Sequence, residues 1–492
     1  MPTPRGVALA ALVVQSALLF SNLGLLPWWG DELFTLRAIE QPLPTMFETL
    51  RNDIHPPLYY LAQRYWIRLP FGPDRLVRMR ALSAIFALGA AAYAMALLLP
   101  RLRPAAGVWF CLLLATSPCL LLYGRMARSY SLQLLVSLVA IHQFLRLIER
   151  PARLRSAAFG LAAALVLYTH YAPGVAVAAA ANLVLLVRNK KLGPLILPNA
   201  VMLLAYSPWM VSALTAASLW GRKSDFHRVT GSVVSEEVVK LGYWGLSFLF
   251  GESIPWWLFF AEIALSVALV WLAWHGARRA REWRGFLAVL AIVGYLGVSR
   301  WVSYPFIPAR MLFVLPFAYL LLAHGAEAWP KAGRIILLAT VAASALGLWS
   351  YFRVENFLNW GYAVPYRQIA RDIAFGPAPT IVAAGVFTDT GVLRYYLPEN
   401  APFRSIEPPA SAERAAEDLA SGPWRRVCAV RNTHDTSPDN FSARFEAALA
   451  RQFPTHRVRY YRPRTRLDRI LIAALGWPDT VPYFYEMVEF ER

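Results

Sequence analysis

The sequence predicts a polytopic α-helical membrane protein that ends in a small soluble α/β domain. Three observations carry that prediction. Of 492 residues, 57% are hydrophobic and only 16% charged, where an ordinary soluble domain is about one quarter charged. Apolar stretches of membrane-spanning length recur through residues 1–352. Beyond them, residues 353–492 change to short segments with charges of both signs mixed together.

The apolar stretches run over roughly 7–27, 79–99, 105–123, 126–147, 157–171, 172–188, 192–216, 255–274, 285–301, 306–323 and 335–352. A bilayer core needs about twenty apolar residues per helix, so these count as about eleven spans. The stretch 157–171 is short, and 236–250 suits a re-entrant or interfacial piece. The first stretch has the place of a signal peptide, but it lacks a clear small-x-small cleavage site and many spans follow it. In the tail, "PTIVAAGVF" (379–387), "RRVCAVR" (425–431), "HRVRYY" (456–461) and "DRILIAAL" (468–475) read as strands. "SAERAAEDLA" (411–420) and "NFSARFEAALARQF" (440–453) read as helices.

Net charge is +19. A basic stripe would suggest nucleic acid, but here Lys and Arg fall in the short connections between apolar stretches, which is topology and argues for no nucleic-acid partner. The basic connections are 101–104, 146–155, 188–191, 275–284 and 331–334, and Arg5 precedes the first stretch. These place the N-terminus and the basic loops in the cytoplasm. The remaining connections and the tail then fall on the extracytoplasmic side of the cytoplasmic membrane. Cys111, Cys119 and Cys428 show no metal-ligand or disulfide spacing.

That sorting gathers polar groups from distant loops on one face. Asp31-Glu32 follow the first stretch; "DIHPPLYY" (53–60), "GRMARSY" (124–130), "THYAP" (169–173), "WGRKSDFHR" (220–228) and "SRWVSYPFIPARM" (299–311) follow on the same side. Ionisable groups at a membrane edge are costly and mark function by default. No Asp-x-Asp metal clamp, P-loop, G-x-S-x-G or HExxH motif occurs. No cofactor is therefore expected, although two adjacent carboxylates are able to share one divalent ion. A site facing outward must draw its donor from the membrane lipids, and a lipid-linked phosphate fits. The departing phosphate needs cations, and an attacking hydroxyl or amine needs a base. Asp31 and Glu32 offer the base; His55, Arg80, Arg128 and Arg310 offer the positive partners.

Asp31-Glu32, "DIHPPLYY", "FGPDRLVRMRALSA" (71–84), "ARSYSLQLLVSLVA" (127–140), "THY" (169–171) and "PARMLFVLPFAYLLLA" (308–323) together resemble the GT-C glycosyltransferase superfamily. The likeness is to its branch of protein mannosyltransferases and lipid A aminoarabinose transferases. It covers residues 1–352 in order. It implies an integral membrane enzyme with an extracytoplasmic site, a polyprenyl-phosphate sugar as donor and inversion at the anomeric carbon. By the same resemblance Asp31 matches the catalytic carboxylate and Glu32 its supporting neighbour. His55 matches the loop motif, Arg80 the arginine that opens a span, and Arg310 the basic residue facing the donor phosphate. Many members carry an acid before the "AR-x-Y" motif, where this chain has Met126.

Each residue also has a plain reading. Asp31-Glu32 would cap the helix that follows. His55 would sit in a turn beside Pro56-Pro57. Tyr59, counted among the substrate-binding candidates, and Tyr60 would be interface anchors. Arg80, Arg128 and Arg310 would pair or snorkel, and His170, also a candidate, would be structural at a helix end. The competing functions are a proton-coupled secondary transporter and a non-catalytic membrane assembly protein. The acceptor, whether protein, lipid or glycan, is not specified by these residues.

Overall fold

The computed structural model of the chain describes residues 4–53, 55–70, 72, 74–222, 233–301, 307–376, 380–384, 389–406, 411–433, 441–474 and 482–492. They form two compact units, one of Met1–Leu25 with Phe34–Glu355 and one of Leu26–Leu33 with Asn356–Arg492.

The first unit is helical. Its elements begin with α1 (Pro4–Phe20), α2 (Gly30–Glu40), α3 (Leu43–Asn52), α4 (Leu58–Trp66) and α5 (Arg75–Leu98). There follow α6 (Pro104–Ala115), α7 (Pro118–Arg125), α8 (Tyr130–Glu149), α9 (Arg153–Thr169), α10 (Tyr171–Asn189) and α11 (Gly193–Arg222). The set closes with α12 (Val233–Phe250), α13 (Phe259–Arg279), α14 (Arg281–Trp301), α15 (Leu315–Ala328) and α16 (Pro330–Phe352). Local chemistry sets several boundaries. Asp74 accepts from the Leu76 and Val77 amides at the start of α5, and Ser117 accepts from Leu120 at the start of α7, satisfying N–H groups that have no partner inside the helix.

Seven of the described helical runs are long and apolar enough to cross a membrane: α5, α8, α10, α11, α13, α16 and Pro308–Ala328, which ends in α15; the bent pair of α6 and α7 would make an eighth. The chain is a multi-pass membrane protein. Among the described residues each of the eleven predicted stretches lies mostly in helix, but four depart from simple spans. Stretch 105–123 is a pair, α6 and α7, bent by 45°; Pro118 cannot continue α6 and instead opens the next helix. Stretch 7–27 ends early, with Asn22 in the left-handed region at φ 46°. Stretch 157–171 is the 17-residue α9, and 285–301 falls in α14, whose apolar part is short. The stretch 236–250 lies in α12, which is not among the seven.

Two close approaches fix the bundle. A Cβ on Gly276 of α13 would lie 1.8 Å from the Leu321 carbonyl oxygen, and one on Gly325 of α15 would lie 2.1 Å from that of Leu272. The backbones of α13 and α15 therefore touch. The turn after α12 is sealed in a similar way. Gly251 takes φ 85° against Pro118, and buried Glu252 accepts hydrogen bonds from the Tyr123 and Tyr243 hydroxyls.

The second unit is a five-stranded sheet of order β2-β1-β3-β5-β4 with helices. Its elements are α17 (Tyr366–Ala374), β1 (Thr380–Ala384), α18 (Thr390–Tyr396), β2 (Phe403–Ser405), α19 (Ala412–Ala420), β3 (Arg426–Asn432), α20 (Phe441–Gln452), β4 (Thr455–Pro463), α21 (Arg466–Ala474) and β5 (Tyr483–Glu491). Strands β2, β1 and β3 are parallel; β5 runs antiparallel to both β3 and β4. Its core includes Ile381, Val427, Leu449 and Phe490. Arg426 is fully buried and donates to Glu489 at 2.8 Å and to the Ile373 carbonyl at 3.0 Å.

One predicted strand of the tail is a helix. "DRILIAAL" falls mostly in α21. The reason lies just upstream in Thr465-x-x-Asp468, a capping box: the Thr465 amide donates to Asp468 at 2.7 Å and the Asp468 amide to Thr465 Oγ1 at 3.2 Å. Strand β5, the central partner of β3 and β4, has no counterpart in the sequence reading.

Candidate functional site

In the first unit the site is built around Arg128. Residue 128 follows α7 and precedes α8, so the bend that ends α7 delivers it. Its side chain is buried, and three neighbours hold it. Nη1 donates to Tyr60 Oη at 3.0 Å and to Thr35 Oγ1 at 3.3 Å; Nη2 lies 3.2 Å from His55 Nε2. A guanidinium only donates, so His55 Nε2 accepts and its proton sits on Nδ1. The His55 ring stacks on Tyr60 at 5.7 Å and meets Phe34 edge-on at 5.3 Å.

This setting decides the charge of His55. Enclosure first, then the charge of Arg128, and behind it His170 and Arg310, hold its pKa well below the ordinary histidine value. The ring still exposes 28% of its surface, so the neighbouring cations matter beside the loss of water. His55 is a neutral acceptor here and not the positive partner that the sequence suggests. Asp53 Oδ2, 3.6 Å from Nε2, does not make it an ion pair.

The charges of Arg128 and Arg310 act on both His55 and His170. Connections distant in sequence thus bring Arg128 and Arg310 within electrostatic reach of both His55 and His170. Arg310 lies in a 3-10 turn over Pro308–Val314, and its carbonyl accepts from Gln133 Nε2 of α8 at 2.8 Å. That bond joins the Arg310 turn to the helix that begins just after Arg128.

The other predicted residues have their described contacts as follows. Arg80 is buried on α5 and donates to the Leu23 carbonyl at 2.9 Å. Tyr59 is buried between Ser83 Oγ at 2.7 Å and Gln63 Nε2 at 2.6 Å. Asp31 and Glu32 belong to the second unit and stand in the first turn of α2. Glu32 Oε2 accepts from the Trp29 amide at 3.2 Å, the reciprocal half of a capping box, so the capping reading holds for Glu32. Lys223, Asp225 and His227 of the loop 220–228 lie outside the described residues.

Sequence reasoning missed Thr35, Tyr60 as a partner of Arg128, and Gln133. Tyr60 had a signal: adjacent helical residues point about 100° apart, so Tyr59 and Tyr60 were bound to face different neighbours. Among the described residues no three of His, Cys, Asp and Glu group as metal ligands would.

Comparison with solved structures finds ArnT from Cupriavidus metallidurans. Its apo form matches at TM-score 0.53 and 15% identity, covering 89% of this chain and 93% of that one. Its form bound to undecaprenyl phosphate matches at TM-score 0.51 and 15% identity, covering 98% and 97%. The chain has the ArnT fold. No family model and no curated protein matches the sequence. The ArnT likeness spans almost the whole chain, sheet domain included, whereas the motif resemblance covers residues 1–352.

Proposed function

We propose that this chain is an inverting glycosyltransferase that moves a sugar from a polyprenyl-phosphate donor to an acceptor at the outer face of the cytoplasmic membrane. The observation that carries this reading is the buried Arg128 held by His55, Tyr60 and Thr35, with Arg310 in electrostatic reach of the same histidine, in a chain with the ArnT fold. An ArnT structure binds undecaprenyl phosphate, and guanidinium groups such as the buried Arg128 and the half-buried Arg310 are the chemistry such a phosphate needs.

The proposed reaction is a single displacement. An acceptor O–H or N–H attacks the anomeric carbon, and its proton passes to the Asp31 carboxylate. The bond from that carbon to the phosphate oxygen breaks, and the polyprenyl phosphate leaves with the electron pair. Arg128 and Arg310 hold the phosphate as its charge rises, with Arg80 as a further cation for the phosphate or the carboxylates. Glu32 fixes the start of α2, on which Asp31 stands one turn before Thr35. His55 and Tyr60 keep the Arg128 fork in place.

The test is transfer of radiolabelled sugar from polyprenyl phosphate in membranes. Asp31→Asn keeps the shape of the side chain and removes the proton acceptor, so turnover should fall by about two to four orders of magnitude. Near-parent turnover in folded Asp31→Asn would reject Asp31 as the base.

A further inference from the structure

The carboxylate pair is carried by a segment that packs into the sheet domain. Residues Leu26–Leu33 share a compact unit with Asn356–Arg492. The Trp28 amide donates to Tyr396 Oη at 2.8 Å across 368 positions of sequence. The Trp28 ring, 3% exposed, meets Tyr395 edge-on at 5.4 Å, and Trp29 meets Tyr362 in the same way at 5.4 Å. A Cβ on Gly30 would lie 2.2 Å from Asp389 Oδ2. Asp389 is itself fixed, since its Oδ1 accepts from Val392 at 3.0 Å and its amide donates to Tyr366 Oη at 2.7 Å. The two ends of the short helix α18, Asp389 and Tyr396, thus grip Gly30 and Trp28.

We propose that the C-terminal domain positions Asp31, with Tyr396 and Asp389 as the positioning residues and Trp28–Gly30 as the strap between them and the base. This rests on the reading of Asp31 as the base. Asp31 is the second residue of α2, directly behind Gly30, so whatever fixes the strap fixes the carboxylate. A general base must stand within a fraction of an ångström of its place, and a displacement of about 1 Å costs up to roughly a hundredfold in rate. Two tryptophans, a glycine at a close approach and a tyrosine hydroxyl on one main-chain amide give a grip stiffer than a mere tether needs.

The experiment uses the full chain in detergent or nanodiscs, with three readouts: amide exchange of residues 26–34, binding of undecaprenyl phosphate, and kcat for sugar release from polyprenyl phosphate. Tyr396→Phe removes the acceptor for Trp28. Exchange over the strap should quicken and kcat should fall about tenfold, the value of one lost hydrogen bond, while undecaprenyl phosphate binds as it does to the parent. Gly30→Ala should lower kcat by up to about a hundredfold. Adding Asp389→Ser, which keeps a helix-capping oxygen but withdraws the carboxylate, should recover most of that loss. Parent kcat in Tyr396→Phe with quickened exchange overturns the proposal, as does unchanged exchange. So does a Gly30→Ala defect that Asp389→Ser leaves untouched. Asp31→Asn separates the two ideas: if it turns over normally the base reading fails, whereas a dead Asp31→Asn beside fully active strap variants sinks only the positioning role.

Discussion

At the scale of single residues, Arg128 is the best-defined group of the site. Three acceptors hold its planar fork, so a lysine cannot stand in for it. Arg128→Lys should weaken undecaprenyl phosphate binding about tenfold, as should Arg310→Ala, each the loss of a charge-assisted contact. Titration of the lipid phosphate into purified variants checks this; parent affinity in both would place the phosphate elsewhere. His55 gives a pH signature. Its pKa in the folded chain is held below the ordinary 6.5, so below that value the unfolded chain takes up a proton that the folded chain refuses. The stability from His55 is complete above about pH 6.5 and declines as pH falls from there toward the lowered folded value. Thermal unfolding of parent and His55→Gln across this range should show the acid-side decline shrink in the variant. An identical decline in both would remove His55 as its source. The sequence placed His55 and Arg128 together but assigned the histidine a charge, because a neighbour's charge reaches a side chain through space and leaves no trace in spacing.

Among the elements, α13 and α15 meet backbone to backbone. Without water there is little hydrophobic drive between spans, so packing of small residues decides. Gly276→Val and Gly325→Val each push a side chain into an opposing carbonyl and should cost about 1–3 kcal/mol or more, the usual range for overpacking. Thermal unfolding in detergent reads this, and a parent-like midpoint for both variants would show that the helices separate easily. Apolar runs made the spans legible, and a run with Pro118 inside it hid the bend between α6 and α7. The reading of "DRILIAAL" as a strand failed for a local reason, since the Thr465-Asp468 capping box was present in the sequence and outweighs β-branched content. The grip of α18 on Trp28–Gly30 was beyond sequence reach, because nothing in "PWWGDE" says which of the later residues it meets.

For the whole molecule, we propose an orientation from charge: 49 Lys and Arg against 30 Asp and Glu, with the short basic loops between apolar helices. The proposed topology puts Lys190-Lys191 and its loop in the cytoplasm and the sheet domain outside. Cysteine labelling tests this against a low background, because Cys111, Cys119 and Cys428 are all buried. Burial also pushes the Cys428 thiol up to about 12, so it presents almost no thiolate to a maleimide. Phe375, 88% exposed in the sheet domain, and Leu192, 68% exposed beside the basic loop, are suitable reporters. Phe375→Cys should react with a membrane-impermeant maleimide in intact spheroplasts. Leu192→Cys should react only after the membrane is opened. The reverse pattern would invert the chain and move the sheet domain, with the Trp28–Gly30 strap it holds, to the cytoplasmic side. An outward-facing transfer site would then be untenable, since Asp31 stands directly behind that strap.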